Sequence, residues 1–208
     1  MEREELTAAI LAGGKSSRLG SDKALAEVGS RPMLNRAIAA VEPLAKEILV
    51  VGRMELNFPA GNAQCIPDIQ PGLGPVGGLA SALAVASHDR VLCIGCDMPF
   101  LNTGLLRLLV HSSPHADVTI LRVGGKVEPL CAIYHRRIQP IVLRLIREGQ
   151  LRMREMFGIL KTAYCDVGSE CENMLFNVNT PDDLDLAKRL AQMKNEQPYG
   201  QQKQAETP

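Results

Sequence analysis

The chain predicts a doubly wound α/β fold, with a mostly parallel sheet and helices on both faces. Three observations lead there. Short, nearly continuous apolar runs recur along the 208 residues, segments of helical periodicity lie between them, and the first apolar run ends directly in Gly13-Gly14. Continuous apolar strands suit a sheet covered on both sides, and such sheets place ligands at the carboxyl ends of their strands.

Leu6 to Ala12 reads as the first strand, Glu47 to Gly52 as the second and Ala63 to Pro67 as a short third. Arg90 to Gly95 is the fourth and ends at Cys96-Asp97. Asp117 to Val123, Leu130 to Tyr134 and Thr162 to Val167 supply three more. Between them, Ser30 reads as the cap of a helix that tolerates Pro32 in its first turn and carries Leu34, Ile38 and Val41 at helical spacing. Pro75 to Ser87 is a helix of small residues. Thr103 to His111, Ile138 to Glu148 and Pro181 to Met193 complete the set, the last capped by Thr180 with Pro181 at its first position. Residues 1 to 193 form one domain. Residues 194 to 208 lack an apolar period and read as a disordered polar tail.

Composition narrows the function. The chain is 46% hydrophobic and 22% charged, as expected of a soluble globular protein. Lys and Arg number 23 and Asp and Glu 23, so the charge balance argues against nucleic acid and against an anionic membrane as partners. Aromatic residues are 3% of the chain with no Trp, which argues against a base-stacking platform. Six cysteines without a charged-then-apolar leader, and a first apolar run too short to span a bilayer, point to a cytoplasmic protein with reduced thiols. Cys93-Ile-Gly-Cys96 invites a redox or zinc reading. On a strand its two side chains face opposite sides, and no second pair stands at ligand spacing, so neither role is expected.

The segment Leu11 to Lys23 (Leu-Ala-Gly-Gly-Lys-Ser-Ser-Arg-Leu-Gly-Ser-Asp-Lys) holds three glycines, two lysines, an arginine and three serines. Free backbone N–H groups flanked by cations are what a polyphosphate requires, although a solvated turn has the same composition. The segment is not a Walker A loop, because five residues separate Gly14 from Gly20 and Ser21-Asp22 follows. Within this segment neither a Gly-x-Gly-x-x-Gly nor a Gly-x-Ser-x-Gly occurs. Asp97, at the end of an apolar strand beside that loop, suits a magnesium anchor, since Mg²⁺ takes one or two carboxylates plus phosphate and water. A helix-capping role is the alternative. Asp68 suits the N–H donors of a purine edge, or serves simply as a turn residue before Pro71-Gly72. Alternation places Asn177 and Asn179 on one face of an extended stretch. Arg152 and Arg154 suit a phosphate monoester, or lie on a solvated helix face.

These residues carry a resemblance. Leu11 to Lys23 resembles the signature of nucleotidyltransferases that act on nucleoside triphosphates. Together with Cys96-Asp-Met-Pro-Phe-Leu101 and Asn177-Val-Asn-Thr-Pro-Asp-Asp-Leu184, in the family's order and approximate spacing, it resembles the molybdenum cofactor guanylyltransferases over about residues 6 to 192. The resemblance implies a Rossmann-like nucleotidyltransferase fold. It also implies Mg²⁺-dependent transfer of GMP from GTP to the phosphate of molybdopterin, with release of pyrophosphate. Asp97 matches the metal ligand. Leu11, Ala12, Gly13, Gly14, Lys23, Asp68 and Asp97 fall at nucleotide-binding positions, Arg18, Lys23 and Asp97 at catalytic ones. Arg154, Asn177 and Asn179 fall on the acceptor side. A monomer is expected, with molybdoenzymes or cofactor-delivery proteins as partners. Two departures concern the acceptor side: Leu151 stands where relatives often carry Arg, and Val127-Glu128 replaces a more basic or polar pair. A CTP-dependent relative, another nucleotidyltransferase and a non-catalytic nucleotide-binding regulator are the competing readings.

Overall fold

The structure is a computed structural model that describes residues 3–13, 22–54, 61–69, 71–113 and 115–196. In chain order the elements are β1 (Glu4–Leu11), β2 (Glu27–Val28), β3 (Arg31–Pro32), α1 (Met33–Val41), β4 (Ala45–Val51), β5 (Ala63–Ile66), α2 (Gly74–Val85), β6 (Arg90–Gly95), α3 (Thr103–Val110), β7 (Val118–Val123), β8 (Lys126–His135), α4 (Gln139–Arg147), β9 (Thr162–Val167) and α5 (Pro181–Glu196). A seven-stranded sheet runs in the order β5-β4-β1-β6-β8-β7-β9. All neighbours pair in parallel except β8, which is antiparallel to both β6 and β7. The doubly wound, mostly parallel expectation holds. The chain winds outward from β1 through β4 and β5, then returns to place β6 on the other side of β1. The strand order reverses there, and a crevice opens at the carboxyl ends.

The two faces follow the period of two along each strand. On one face Leu6, Ala8 and Ile10 of β1 join Leu92 and Ile94 of β6 under α1 and α3. On the other, Ala9, Val91 and Cys93 pack under α2 and α4. Both faces are covered, which is why these strands read as unbroken apolar runs. A third cluster gathers Val28, Met33, Phe100, Val178, Ala187 and Ala191 and seats α5 against the small β2–β3 ribbon. That ribbon corrects the expectation for Ser30. Residues 29 and 30 form its turn, and α1 begins only at Met33, with Pro32 at the cap position and no side-chain cap. A two-residue strand is too short to leave a periodic signal. Helix α5 runs on to Glu196, past the expected start of the tail, and residues 197–208 lie outside the described residues.

β8 begins at Lys126 rather than at Leu130, because Gly124-Gly125 turns β7 straight back into it. Its register against β7 shifts: Ile120 pairs with Ala132 but Leu121 with Glu128, so residues 129–131 bulge out of the ladder. Pro129 sits in this bulge, where a strand tolerates a missing N–H. The fully buried Tyr134 donates its hydroxyl to the Pro129 carbonyl at 2.9 Å and fixes the bulge.

At the amino ends of the strands, away from the crevice, Glu47 stitches three segments together. It accepts from Thr7 Oγ1 at 2.5 Å, from the Ser87 amide at 2.8 Å and from Ser87 Oγ at 2.7 Å. Burial raises the cost of its charge, but these hydrogen bonds outweigh it and hold the carboxyl below its ordinary 4.5. A depressed folded-state pKa gives stability that is present above the unfolded value and is lost as pH falls through the folded one. Glu47→Gln is therefore expected to lose less stability than wild type between about pH 5 and about pH 3, in urea midpoints taken across that window. Equal acid sensitivity would remove Glu47 from the account. At the opposite end, Gly52 holds φ +87° with a Cβ position 2.5 Å from Gly13 Cα. Gly52→Ala is expected to cost about 3 kcal/mol in denaturant titration, from backbone strain and the clash together.

Candidate active site

The crevice is built where β1, β4 and β6 end. The ladder continues past the strands: the Ala12 amide donates to Val51 at 3.0 Å and the Cys96 amide to Leu11 at 3.2 Å. Gly52 presses backbone to backbone on Gly13, which is exposed at the mouth, while Ala12 behind it is buried. Gly14 and Arg18 lie outside the described residues, as does Lys15.

Lys23 opens a short turn, Lys23–Leu25, capped by Asp22, whose carboxylate accepts from the Ala24 amide at 3.2 Å. Ala24 is buried and anchors that turn, so the Lys23 side chain is aimed inward. Its ammonium donates to Asp97 Oδ2 at 2.9 Å and to Asn179 Oδ1 at 2.8 Å. Lys23 and Asp97 are each 19% exposed at the side chain.

Asp97 sits just past β6. Gly95 leaves room for its carboxylate, since a Cβ there would run into Oδ1. Oδ1 is buried with no hydrogen-bond partner among the described residues. Asp97 caps no helix; Asn102 does that for α3, accepting from the Leu105 amide at 2.9 Å. The capping alternative is thereby set aside. The Asp97 carbonyl accepts from the Val178 amide at 2.9 Å and draws the segment before α5 into the crevice.

That segment alternates as expected. Val178 is fully buried, while the asparagines on either side reach two different neighbours. Asn179 meets Lys23, and Asn177 donates to the Leu175 carbonyl at 3.1 Å and to Glu128 Oε2 at 3.5 Å. A capping box holds the segment. Asp183 accepts from the Asn179 and Thr180 amides at 2.9 and 2.8 Å, and its own amide donates to Thr180 Oγ1 at 3.2 Å. The Asn179 bond, first among these, keeps the Asp183 carboxyl below its ordinary range. The Thr-x-x-Asp spacing carried this signal in the sequence.

On the other flank of the crevice, the single proton of Ser81 Oγ lies between two acceptors, Asp68 Oδ1 at 3.1 Å and the Gly77 carbonyl at 2.9 Å, and Ser81 in turn accepts from the Ile69 amide at 2.9 Å. A fully buried hydroxyl of α2 thus fixes the loop that carries Asp68. Beyond Glu128, a groove of about 630 Å³ is lined by Pro75, Leu130, Leu151 and Met153, with Glu128 and Arg154 also in its wall. Arg154 donates to the Val127 carbonyl at 3.1 Å. Arg152 is 86% exposed at the side chain and pairs with Glu155, so the structure brings only Arg154 into contact with β8.

Sequence reasoning missed Arg53 and Asp22, which form an ion pair at the β1–β4 end of the crevice. Only proximity in space reveals them, because they come from different loops. It also passed over Ser81. The Cys-x-x-Cys is structural: Cys93 and Cys96 fall in different core clusters, and burial pushes each thiol up to about 12. Among the described residues no group of three or more His, Cys, Asp or Glu could hold a metal. Nor is any described helix long and apolar enough to cross a membrane.

The comparisons agree with this architecture. The model of the MobA-like NTP transferase domain matches residues 8–163. A curated protein of Carboxydothermus hydrogenoformans, named probable molybdenum cofactor guanylyltransferase, is 33% identical over 196 residues, 92% of this chain and 99% of the relative. A protein of the same name from Pelotomaculum thermopropionicum is 31% identical over 193 residues, 90% of this chain and 94% of the relative. The crystal structure of molybdopterin-guanine dinucleotide biosynthesis protein A from Archaeoglobus fulgidus superposes with a TM-score of 0.74 at 24% identity, covering 90% of this chain and 99% of that one, and so shares the fold. Matched along most of its length by this domain and by these relatives, the chain belongs to the MobA-like NTP transferases and, among them, to the molybdenum cofactor guanylyltransferase family.

Proposed function

We propose that the chain transfers GMP from GTP to the phosphate of molybdopterin and releases pyrophosphate. One observation carries the reading: Lys23 is clasped between Asp97 and Asn179, which joins the loop after β1, the end of β6 and the segment before α5 at one point. Family membership and the relatives' names support the choice of substrates.

In this reaction an acceptor phosphate oxygen forms a bond to the α-phosphorus of GTP, and the bond from that phosphorus to the bridging oxygen of pyrophosphate breaks. The acceptor is already anionic, so no side-chain nucleophile is required, and catalysis rests on positioning and charge neutralisation. The backbone at the end of β1, from Leu11 to Gly13, approaches the nucleotide. The Lys23 ammonium sits where the triphosphate and the incoming phosphate meet. Arg18 adds a second cation on the strength of the resemblance. Asp68, held by Ser81, accepts from the N–H edge of guanine. Asn179 orients the acceptor phosphate beside Lys23, while Asn177 and Arg154 bind its distal part.

The residues present fit a magnesium ion at Asp97. Oδ1 is a buried carboxylate oxygen with no partner among the described residues, and Mg²⁺ needs one or two such ligands when phosphates complete its shell. Bound there, it supplies neutralisation of charge on the phosphate oxygens.

Calorimetry with GTP, CTP, ATP and UTP in the presence of Mg²⁺ tests the donor. GTP is expected to bind most tightly, and a preference for CTP would reassign the base. Asp97→Asn is expected to lower pyrophosphate release roughly 10²–10³-fold, with a thermal midpoint close to wild type. Undiminished turnover in that variant would sink the assignment. Lys23→Ala is expected to weaken GTP binding about tenfold, and unchanged affinity would remove Lys23 from the triphosphate site.

A further inference from the structure

The proposed reaction uses the strand ends but leaves unexplained a half-buried carboxylate in a groove whose wall combines apolar side chains with Arg152, Arg154 and Glu155. Glu128 lies at the start of the β8 bulge, and the shift in register there turns it and Leu130 toward the groove. Two donors hold it in place: the Leu130 amide on Oε1 at 3.0 Å and the Asn177 side-chain amide on Oε2 at 3.5 Å. Each carboxylate oxygen has a second lone-pair direction, so the fixed group can still accept two parallel donors. Pro75, Leu130, Leu151 and Met153 give the groove an apolar surface that suits a flat heterocycle, Arg152, Arg154 and Glu155 line it beside them, and the volume of about 630 Å³ is that of a small-molecule site.

We infer that Glu128 is the residue that reads the pterin ring, accepting from its 2-amino group and the adjacent ring N–H. This edge presents two parallel N–H donors, the geometry a carboxylate accepts bidentately. The inference rests on the guanylyl-transfer reading and names the end of the acceptor that Glu128 holds. The segment Asn177-Val178-Asn179 sets the acceptor's direction. Asn179 touches the Lys23–Asp97 pair and Asn177 touches Glu128, so the phosphate lies at the first and the ring extends to the second. The exchange of a basic or polar residue for Val127-Glu128 is then a change in how the ring is read. Asp68 at the guanine end and Glu128 at the pterin end face the same kind of donor edge. Two carboxylates thus frame a product whose two heterocycles share that edge.

The test uses the intrinsic fluorescence of two pteridines, pterin and lumazine, titrated into the full chain and excited at wavelengths longer than Tyr or Trp absorbs. Lumazine carries a carbonyl in place of the 2-amino group, so its oxygen would face the carboxylate. Saturating GTP is included to fill the guanine site, and GTP affinity is measured separately by calorimetry. Wild type is expected to bind pterin at least about tenfold more tightly than lumazine. Glu128→Gln is expected to lose that preference while GTP affinity and the thermal midpoint stay unchanged. Leu151→Trp, which fills the groove without touching Glu128, is expected to weaken both pteridines. Wild type binding both alike, Glu128→Gln retaining the preference, or Leu151→Trp binding as before would each overturn the assignment. Intact GTP binding alongside such a result strikes Glu128 alone. Failure of wild type to bind GTP strikes the guanylyl reading and this inference with it.

Discussion

The crevice depends on the two grips that Asp97 exerts from one position. Its carboxylate holds the Lys23 ammonium at 2.9 Å, and its main-chain carbonyl holds the Val178 amide at 2.9 Å. The first grip pins the turn that follows the glycine-rich loop, and the second pins the segment before α5. Neither segment belongs to the sheet, and each would otherwise be placed only by its own caps. The pairing is partly buried, so solvent and salt screen it less than an exposed ion pair. The same geometry leaves Oδ1 without a partner among the described residues, which is the condition under which a carboxylate serves a cation instead.

Two backbone features make that position possible. The glycine-on-glycine approach at Gly13 and Gly52 lets β1 and β4 end close together. On the other side of β6, the bulge in β8 breaks the antiparallel ladder just where the crevice needs width. The crevice thus has a tight end at β1 and β4 and a second end beside the β8 bulge, and the Asn177-Val178-Asn179 segment runs between them. Stability is secured elsewhere: the Glu47 network sits at the amino ends of the strands, where changes in charge leave the chemistry untouched.

Much of the fold was legible in the sequence, because burial on both faces writes itself as continuous apolar runs and helices as a period of 3.6. All seven strands of the main sheet and all five helices are present near their expected places. The misses have physical causes. The β2–β3 ribbon is too short for any period, so Ser30 was read as a cap. The direction of β8 is decided by the Gly124-Gly125 turn and by pairing with β6, neither of which alters its apolar pattern.

For the site the division is sharper. By itself the sequence determined which residue types stand at strand ends: a cationic glycine-rich loop after β1, an aspartate after β6, two asparagines one residue apart before a capped helix. These follow from local rules of turn, cap and alternation. Only the tertiary structure decided which of them meet. Lys23 and Asn179 are 156 residues apart, and Arg53 reaches Asp22 from another strand end. Nor does any local signal distinguish Arg154, which reaches β8, from Arg152, which points to solvent. Contacts at such separation are set by sheet order and register, and those are fixed by the sum of core packing rather than by the residues that make the contact.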